Sequence, residues 1–210
     1  MDAADGNSLA AIGFLTALQD TAHGWFGGYL VLSQLGRPLE FHCTTPIQPT
    51  RAQQILYGPT LRSYLLGEVI GRTLVDQAEL PVEAVLTDLP EMLSLSLLQP
   101  AAVAWVERIM DPTRPTRGGT QAGVTSSCVR PRIARWDADE SVPILEIGHL
   151  HLHGTSTCHW EPEQLQGQLT PLVEHIDLLE PFSRIREAIL EAQRISADPD
   201  EGPLAARIAA

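Results

Sequence analysis

Two short apolar segments near the middle of the chain constrain its fold most. Residues 83–88 and 101–106 each have the length and composition of a buried strand, and residues 89–92 between them are typical of a helix start. A strand, a helix and a second strand in this order are typical of a βαβ unit, whose strands pair in parallel. The sequence therefore predicts a mixed α/β protein with a short parallel element in its sheet.

Three segments before this unit predict further strands, at residues 9–18, 28–32 and 39–44. The first two are apolar runs, and the third alternates strictly between apolar and polar side chains. Because successive side chains of a strand point to opposite faces, we expect Leu39, Phe41 and Cys43 to face the core. Together these segments predict an N-terminal β-hairpin or meander.

Helices are predicted between the meander and the central unit. Thr50 is a suitable N-cap for a helix that carries Ile55 and Leu56, and a longer helix follows over about residues 60–77. Gly67 and Gly71 lie one turn apart on the longer helix. Small residues at this spacing allow a helix to pack closely against a sheet.

The C-terminal part of the chain predicts one strand and two helices. The strand runs through the histidine-rich segment, residues 146–153, and the first helix covers about residues 162–175. A capping sequence at residues 177–180 precedes the second helix. The apolar residues of this last helix recur at helical spacing and predict one buried face, formed by Phe182, Ile185, Ile189 and Ala192.

A stretch of loop-forming residues, 111–123, divides the chain into two parts and predicts a flexible connection rich in Arg, Gly and Pro. We predict an N-terminal α/β part over residues 9–110 and a C-terminal strand-helix part over residues 124–195, with a single shared core as the alternative. Residues 1–8 and 196–210 are predicted to be disordered ends. A length of 210 residues fits one large domain or two small ones.

All fourteen basic residues are arginine, so the chain contains no lysine. This excludes Schiff-base enzymes, Walker-type phosphate loops, protein kinases and Ser-Lys β-lactamase chemistry, because each of them needs a lysine amine. The net charge of −12 disfavours general binding to nucleic acid or to anionic membranes. Binding to either would need a local basic region.

Several features predict a cytoplasmic protein with no membrane partner. No apolar run reaches the roughly 18 residues that a membrane helix needs, and residues 1–6 lack the cationic start of a secretory signal. Cys43, Cys128 and Cys158 are widely spaced and odd in number, which disfavours a disulfide framework. Reduced thiols fit the same compartment.

Four of the seven histidines lie within eleven residues. On one strand, the first three would project together from the same face, and a cysteine and a histidine follow after a turn. Nitrogen and sulfur donors of this kind are the ligands of zinc, although the segment lacks the motifs of zinc fingers, HExxH enzymes and zinc deaminases. The candidate zinc ligands are His149, His151, His153, Cys158 and His159.

A catalytic zinc site would also need a base close to the ion. Glu146 and Glu161 are the carboxylates near the histidine segment. The alternative, which we favour, is an edge strand whose outer face is rich in histidine and becomes cationic below about pH 6.5.

A second candidate site is the positive stretch of this acidic chain. No Asp or Glu occurs from Pro112 to Trp136, whereas five arginines do. The planar guanidinium suits phosphate and carboxylate groups, so the stretch predicts contact with an anionic ligand, a nucleic acid or an acidic partner. The alternative is a solvated loop whose arginines pair with the surplus carboxylates. The five residues are Arg114, Arg117, Arg130, Arg132 and Arg135.

A further carboxylate, Asp88, follows the first strand of the central unit. Open α/β sheets place ligand contacts at such positions, but aspartate also commonly caps a following helix, and we favour the capping interpretation. A nucleophilic triad is not indicated. The sequence has no Gly-x-Ser-x-Gly elbow, and His42 and Cys43 are expected on opposite faces of one strand.

Taken together, the sequence favours a non-catalytic binding or scaffold protein that engages a macromolecular partner, most directly another protein. One alternative is a metal-dependent hydrolase that uses the histidine cluster, with zinc as its ion. A second alternative is an arginine-mediated nucleic-acid binder. Metal dependence would indicate the hydrolase, and a steep loss of affinity with salt would indicate the nucleic-acid binder.

Overall fold

The computed structural model describes residues 11–109, 144–155 and 160–197. Within these ranges the fold is α/β, which confirms the predicted class: one mixed sheet of seven strands has helices on both faces. The strands are β1 (Ala11–Asp20), β2 (Gly24–Ser33), β3 (Pro38–Cys43), β4 (Ala84–Thr87), β5 (Ala102–Arg108), β6 (Ile144–Ile147) and β7 (Leu150–His153). Their order across the sheet is β3-β2-β1-β4-β5-β7-β6.

The first three strands form an antiparallel meander, as the sequence predicts. β1 and β2 pair along their full length, and β3 pairs with the outer side of β2. The turn between β1 and β2 is held by Asp20, whose carboxylate accepts hydrogen bonds from the backbone N–H groups of Ala22 and His23. Aspartate favours turns because its short side chain can bond the backbone two or three residues ahead.

The parallel strands form the centre of the sheet. β4 lies between β1 and β5 and is parallel to both, so the pairing expected of a βαβ unit is present. The connection from β4 to β5 is a 3-10 helix, Pro90–Leu97, instead of an α-helix. All residues of β4 are buried, because a central strand covered on both faces has no exposed side.

The predicted C-terminal strand is a hairpin of two strands. β6 ends at Ile147 and β7 begins at Leu150, and these two residues are paired. Gly148 and His149 form the two-residue turn between them, in which Gly148 has a φ of +60°. Glycine adopts this conformation readily, and a tight hairpin turn requires it. β7 also pairs with β5, so the hairpin extends the sheet and β6 is its last strand.

Helices cover both faces of the sheet. The α-helices of the described residues are α1 (Arg51–Tyr57), α2 (Leu61–Ser63), α3 (Arg72–Gln77), α4 (Pro162–Val173) and α5 (Glu180–Ala197), of which α1 and α2 have no buried residue. A π-helix, Tyr64–Gly71, joins α2 to α3. On one face α4 and α5 form the first core with residues such as Phe14. On the other face the π-helix, α3 and the 3-10 helix form the second core around Leu15 and Tyr29. Within the described ranges, no helix has the length and hydropathy to span a membrane.

Two details of the helix packing were predicted from local spacing. Three of the four apolar residues that define the buried face of α5 are buried, whereas Ala192 is exposed. A Cβ atom at Gly71 would lie 3.1 Å from Cδ2 of Leu15. The missing side chain lets the π-helix approach β1 closely, as predicted, whereas Gly67 faces Ser94 of the 3-10 helix and not the sheet.

The prediction for β3 was wrong about which side faces the core. Leu39, Phe41 and Cys43 are exposed, whereas Glu40 and His42 are half-buried. The Glu40 carboxylate accepts hydrogen bonds of 2.9 and 3.1 Å from two backbone N–H groups just after α3. The chain after α3 thus covers the polar side of the strand, while the apolar side is left exposed. Alternation identifies a strand but not which of its sides will be covered.

Candidate functional site

Side chains capable of acid–base chemistry gather where β5, β7 and β6 lie side by side. The pairing places Trp105 opposite His153, and it places His151 between Glu107 of β5 and Glu146 of β6. Residues opposite each other in neighbouring strands project from the same face of a sheet. This group is called the histidine face, and its members are Trp105, Glu107, Glu146, His151 and His153.

Each imidazole of the histidine face lies beside its own carboxylate. Nε2 of His151 is 3.1 Å from Oε1 of Glu146, and Nε2 of His153 is 3.4 Å from Oε2 of Glu107. The first contact is a hydrogen bond, whereas the second is a close approach that is not aligned as one. The two imidazole rings meet edge to face with their centroids 5.8 Å apart. Carboxylates in such positions orient histidines for proton transfer.

Burial lowers the pKa of His153, because removal from water penalises the charged imidazolium. Glu107 acts in the opposite direction, and the charge of His151 lowers the pKa further. The indole of Trp105 stacks on the His153 ring with 4.8 Å between centroids, and only 21% of the His153 side chain is exposed. His153 is therefore neutral at neutral pH, in the form that accepts a proton.

The structure separates His149 from His151 and His153. His149 lies in the turn that begins at Gly148, and its Nε2 is 3.9 Å from Oδ2 of Asp177, at the α4–α5 connection. The prediction that all three histidines project together is corrected on this point, because the turn interrupts the strand. Among the described residues, no group of three or more His, Cys, Asp and Glu is arranged to hold a metal ion.

Several predicted site residues lie elsewhere. Cys158 and His159 are outside the described residues, so the larger zinc site stays a prediction. Glu161 is exposed at the residue before α4. The five arginines of the positive stretch are also outside the described residues. The described chain stops at Ile109, just after β5, and resumes at Ile144, the first residue of β6.

A second polar cluster lies at the carboxyl ends of the parallel strands. Thr16 of β1 and Asp88 directly follow the last paired residues of β1 and β4. Thr16 Oγ1 donates to Asp88 Oδ1 at 2.7 Å, and Arg186 of α5 donates to Asp88 and, at 3.0 Å, to Thr16. Asp88 does not cap the 3-10 helix that follows it. The capping interpretation was therefore wrong, since this carboxylate connects the sheet to α5.

Loss of the Asp88 carboxylate should destabilise the fold. We expect Asp88→Ala to lower the free energy of unfolding by about 2 kcal/mol, because it leaves the Arg186 guanidinium and the buried Thr16 hydroxyl without their acceptor. The Arg186 side chain is 35% exposed, and water limits the loss. Urea denaturation measures the difference. Glu191→Ala, which breaks an exposed ion pair of α5, should cost less than about 0.5 kcal/mol. Equal losses in the two variants would contradict this account.

A groove of about 630 Å³ opens beside the last turns of α5, and Asp20, His23 and Cys43 line it. Nδ1 of His23 lies 2.8 Å from Oδ1 of Asp20, which resembles two members of a catalytic triad. Cys43, however, is paired with Gly28, five residues beyond His23 and so roughly 16 Å along β2. Burial also raises the pKa of the Cys43 thiol. His23 is therefore not positioned to activate Cys43 as a nucleophile.

Sequence reasoning missed Trp105 and Glu107 as members of the candidate site. Both belong to β5 and alternate with buried residues, which is the local signal that they share a face. Their position beside the histidines depends on the pairing of β5 with β7, which follows only after the long segment between residues 109 and 144. No local pattern indicates a pairing over that separation.

The sequence and the fold were compared with known proteins. No protein-family model matches the sequence, and no curated protein matches it. A similar solved structure is a variant of endonuclease V from Ciona intestinalis in complex with a 23mer DNA that contains an inosine followed by a ribo-adenosine. The match covers 88% of this chain and 86% of that chain, with 12% sequence identity and a TM-score of 0.40. We withdraw the prediction of a non-catalytic scaffold. The similarity itself carries no argument about function. It assigns no reaction, substrate or residue role to this chain.

Proposed function

We propose that the protein is a hydrolase that cleaves phosphate esters of nucleic acid, with the histidine face as its reacting centre. The observation that carries the proposal is a pair of imidazoles on one face of the sheet, each beside its own carboxylate. Positioned proton donors and acceptors of this kind typically accelerate a reaction by about 10²–10⁴-fold. The proposal keeps the hydrolytic reaction of one alternative, without its metal ion, and the nucleic acid of the other.

Three of the side chains have distinct roles in this scheme. His153 acts as the base, because its lowered pKa keeps it neutral at neutral pH. It takes a proton from a water molecule whose oxygen attacks phosphorus. His151, hydrogen-bonded to Glu146, delivers a proton to the oxygen that leaves. Glu107 lies beside His153 and stabilises the imidazolium that forms during the reaction.

Two features support nucleic acid as the substrate class. The indole of Trp105 is partly exposed beside His153 and offers a surface on which a base can stack. The arginine-rich stretch is joined at its two ends to β5 and β6, the strands on either side of β7. Guanidinium groups on this stretch would bind phosphates of the same strand of nucleic acid.

The scheme includes no metal ion. Two imidazoles and two carboxylates are suitable zinc donors, but each imidazole of the histidine face is directed to its own carboxylate, and these described residues do not surround a common point. Whether activity needs zinc is therefore tested separately, by measuring cleavage in the presence of a chelator.

The direct test is cleavage of labelled single-stranded DNA, double-stranded DNA and RNA by the full chain. Each substrate is assayed with a chelator and with added magnesium, manganese or zinc. We expect cleavage of at least one substrate, and cleavage in the presence of the chelator. Loss of activity with the chelator would replace the metal-free scheme with a metal-dependent one. Absence of cleavage with every substrate and ion would overturn the proposal.

A further inference from the structure

β3 lies at the edge of the sheet opposite to β6, and its apolar side chains are exposed. β3 pairs with β2 on one side, and no strand of the described chain pairs with its other side. Leu39 and Phe41 are 41% and 39% exposed, and the Cys43 side chain is exposed as well. Unpaired edge strands with exposed apolar side chains are a common site for strands of another chain to add. The open side of β3 therefore has the properties of an interaction surface.

Backbone groups of the same strand point to the open side. In an antiparallel pair, residues bonded to the neighbouring strand alternate with residues that are not. The N–H of Thr44 donates to the carbonyl of Gly27 at 3.0 Å, so the residues two and four positions before Thr44 also face β2. Phe41 and Cys43 lie between these positions and direct their N–H and C=O groups away from β2. The strand thus offers both hydrogen-bonding groups and apolar side chains.

We propose that two copies of this chain form a dimer through β3, antiparallel, with Phe41 at the two-fold axis. Two identical antiparallel strands form the self-complementary interface that a two-fold dimer needs. In this register the two Phe41 rings face each other, and His42 of each copy lies opposite Glu40 of the other. Aromatic pairs stabilise adjacent strands, and so do hydrogen bonds between an imidazole and the carboxylate opposite it. The two sheets then become one continuous sheet.

The neighbouring registers of the two β3 strands are less favourable than the proposed one. This favours a second copy of the chain as the partner and places the two-fold axis at Phe41. Only registers displaced by two residues keep the outward backbone groups paired. One displaced register places Glu40 opposite Glu40, and the other places His42 opposite His42. Two carboxylates directly opposite each other repel, and two opposed imidazoles lack the carboxylate acceptor that each has in the proposed register. Glu40 and His42 are already 2.5 Å apart within each copy, so the proposed register extends an existing pair into a group of four.

The oligomeric state of the full chain is the first test. We expect sedimentation equilibrium to give twice the chain mass of 22.9 kDa, falling towards one chain on dilution. Phe41→Glu should weaken dimerisation at least about 100-fold, because it places two carboxylates at the axis. Leu56→Glu is the matched control, since Leu56 is 83% exposed on α1, away from β3. The proposal is overturned if the wild type is a monomer at every concentration, whether β3 is free or is covered by another part of the same chain.

A cross-link tests the register independently of affinity. Phe41→Cys is introduced with Cys43→Ser, Cys128→Ser and Cys158→Ser, so that the new thiol is the only one. Bonded residues of antiparallel strands have Cα atoms about 5.5 Å apart, within the range that a disulfide spans. Mild oxidation of this variant should give a covalent dimer. A control with Leu56→Cys, the same three serine substitutions and the natural Phe41 should not cross-link. A dimer that does not cross-link at this position would contradict the register, and equal cross-linking of the control would show random collision.

Discussion

His153→Ala should lower kcat/KM for nucleic-acid cleavage by about 10²–10⁴-fold. The imidazole that is removed is neutral at neutral pH, lies beside Glu107 and is held under the indole of Trp105. Steady-state kinetics on the substrate found by the activity assay measure the loss. Circular dichroism and thermal unfolding of the variant establish that it remains folded, so that the loss reports chemistry.

His23→Ala is the matched control for this variant. His23 is also paired with a carboxylate, that of Asp20, at 2.8 Å, but its side chain is 67% exposed in the β1–β2 turn. The same purification of both variants also controls for contaminating nucleases, since a contaminant would be equally active in each preparation. Equal activity of His153→Ala, His23→Ala and the wild type would rule out the histidine face as the reacting centre.

The lowered pKa of His153 also sets the pH dependence of wild-type activity. A base must be unprotonated to act, so on the acidic side of the pH profile the rate should fall as the pH drops through the pKa of His153, which in the folded protein lies below the ordinary histidine value of 6.5. The same shift affects stability. Between these two pKa values the unfolded chain binds the proton more tightly, so the free energy of unfolding falls as the pH decreases. In His153→Ala, neither the rate nor the free energy of unfolding should show this dependence on pH.

The elements that could be predicted from sequence are those with a local signal. The burial of Ile185 and Ile189 follows from helical spacing, and the parallel pairing of β4 with β5 follows from the order of strand, helix and strand. The two-residue turn at Gly148 was missed, although glycine before His149 is the kind of residue that such a turn needs. Its omission placed His149 on the same face as His151.

The other errors concern contacts between distant segments. The alternation in β3 is clear, but its polar side is covered because the chain after α3 supplies two N–H groups to Glu40. Asp88 meets Arg186, which lies 98 positions away. Local periodicity indicates neither contact, because both depend on how the helices pack on the folded sheet. Sequence patterns therefore give the elements better than they give the candidate site.

Gly13→Ala should lower the free energy of unfolding by about 3 kcal/mol, the upper part of the range for overpacked cores. A Cβ atom at this position in β1 would lie 2.2 Å from Oη and 2.6 Å from Cε2 of Tyr29. Tyr29 is fully buried in the second core, and the close packing of protein cores resists movement of its ring. Gly167→Ala is the control, because nothing lies within 4 Å of its Cβ position in α4, and alanine there should stabilise the helix by up to about 1 kcal/mol.

Tyr29→Phe distinguishes steric crowding from a general intolerance of β1 to substitution. The Tyr29 hydroxyl is buried without a hydrogen-bond partner among the described residues, and burial raises the pKa of its phenol, so that it stays protonated. Its removal should leave the stability unchanged or raise it by about 1 kcal/mol. In the Gly13→Ala background, Tyr29→Phe should raise the free energy of unfolding by more than it does in the wild type, because it also removes the closest contact of the new Cβ atom. The difference between the two backgrounds is a coupling energy of about 1 kcal/mol between the two sites. Strictly additive effects in urea denaturation would show that the tyrosine hydroxyl is not what excludes a side chain from position 13.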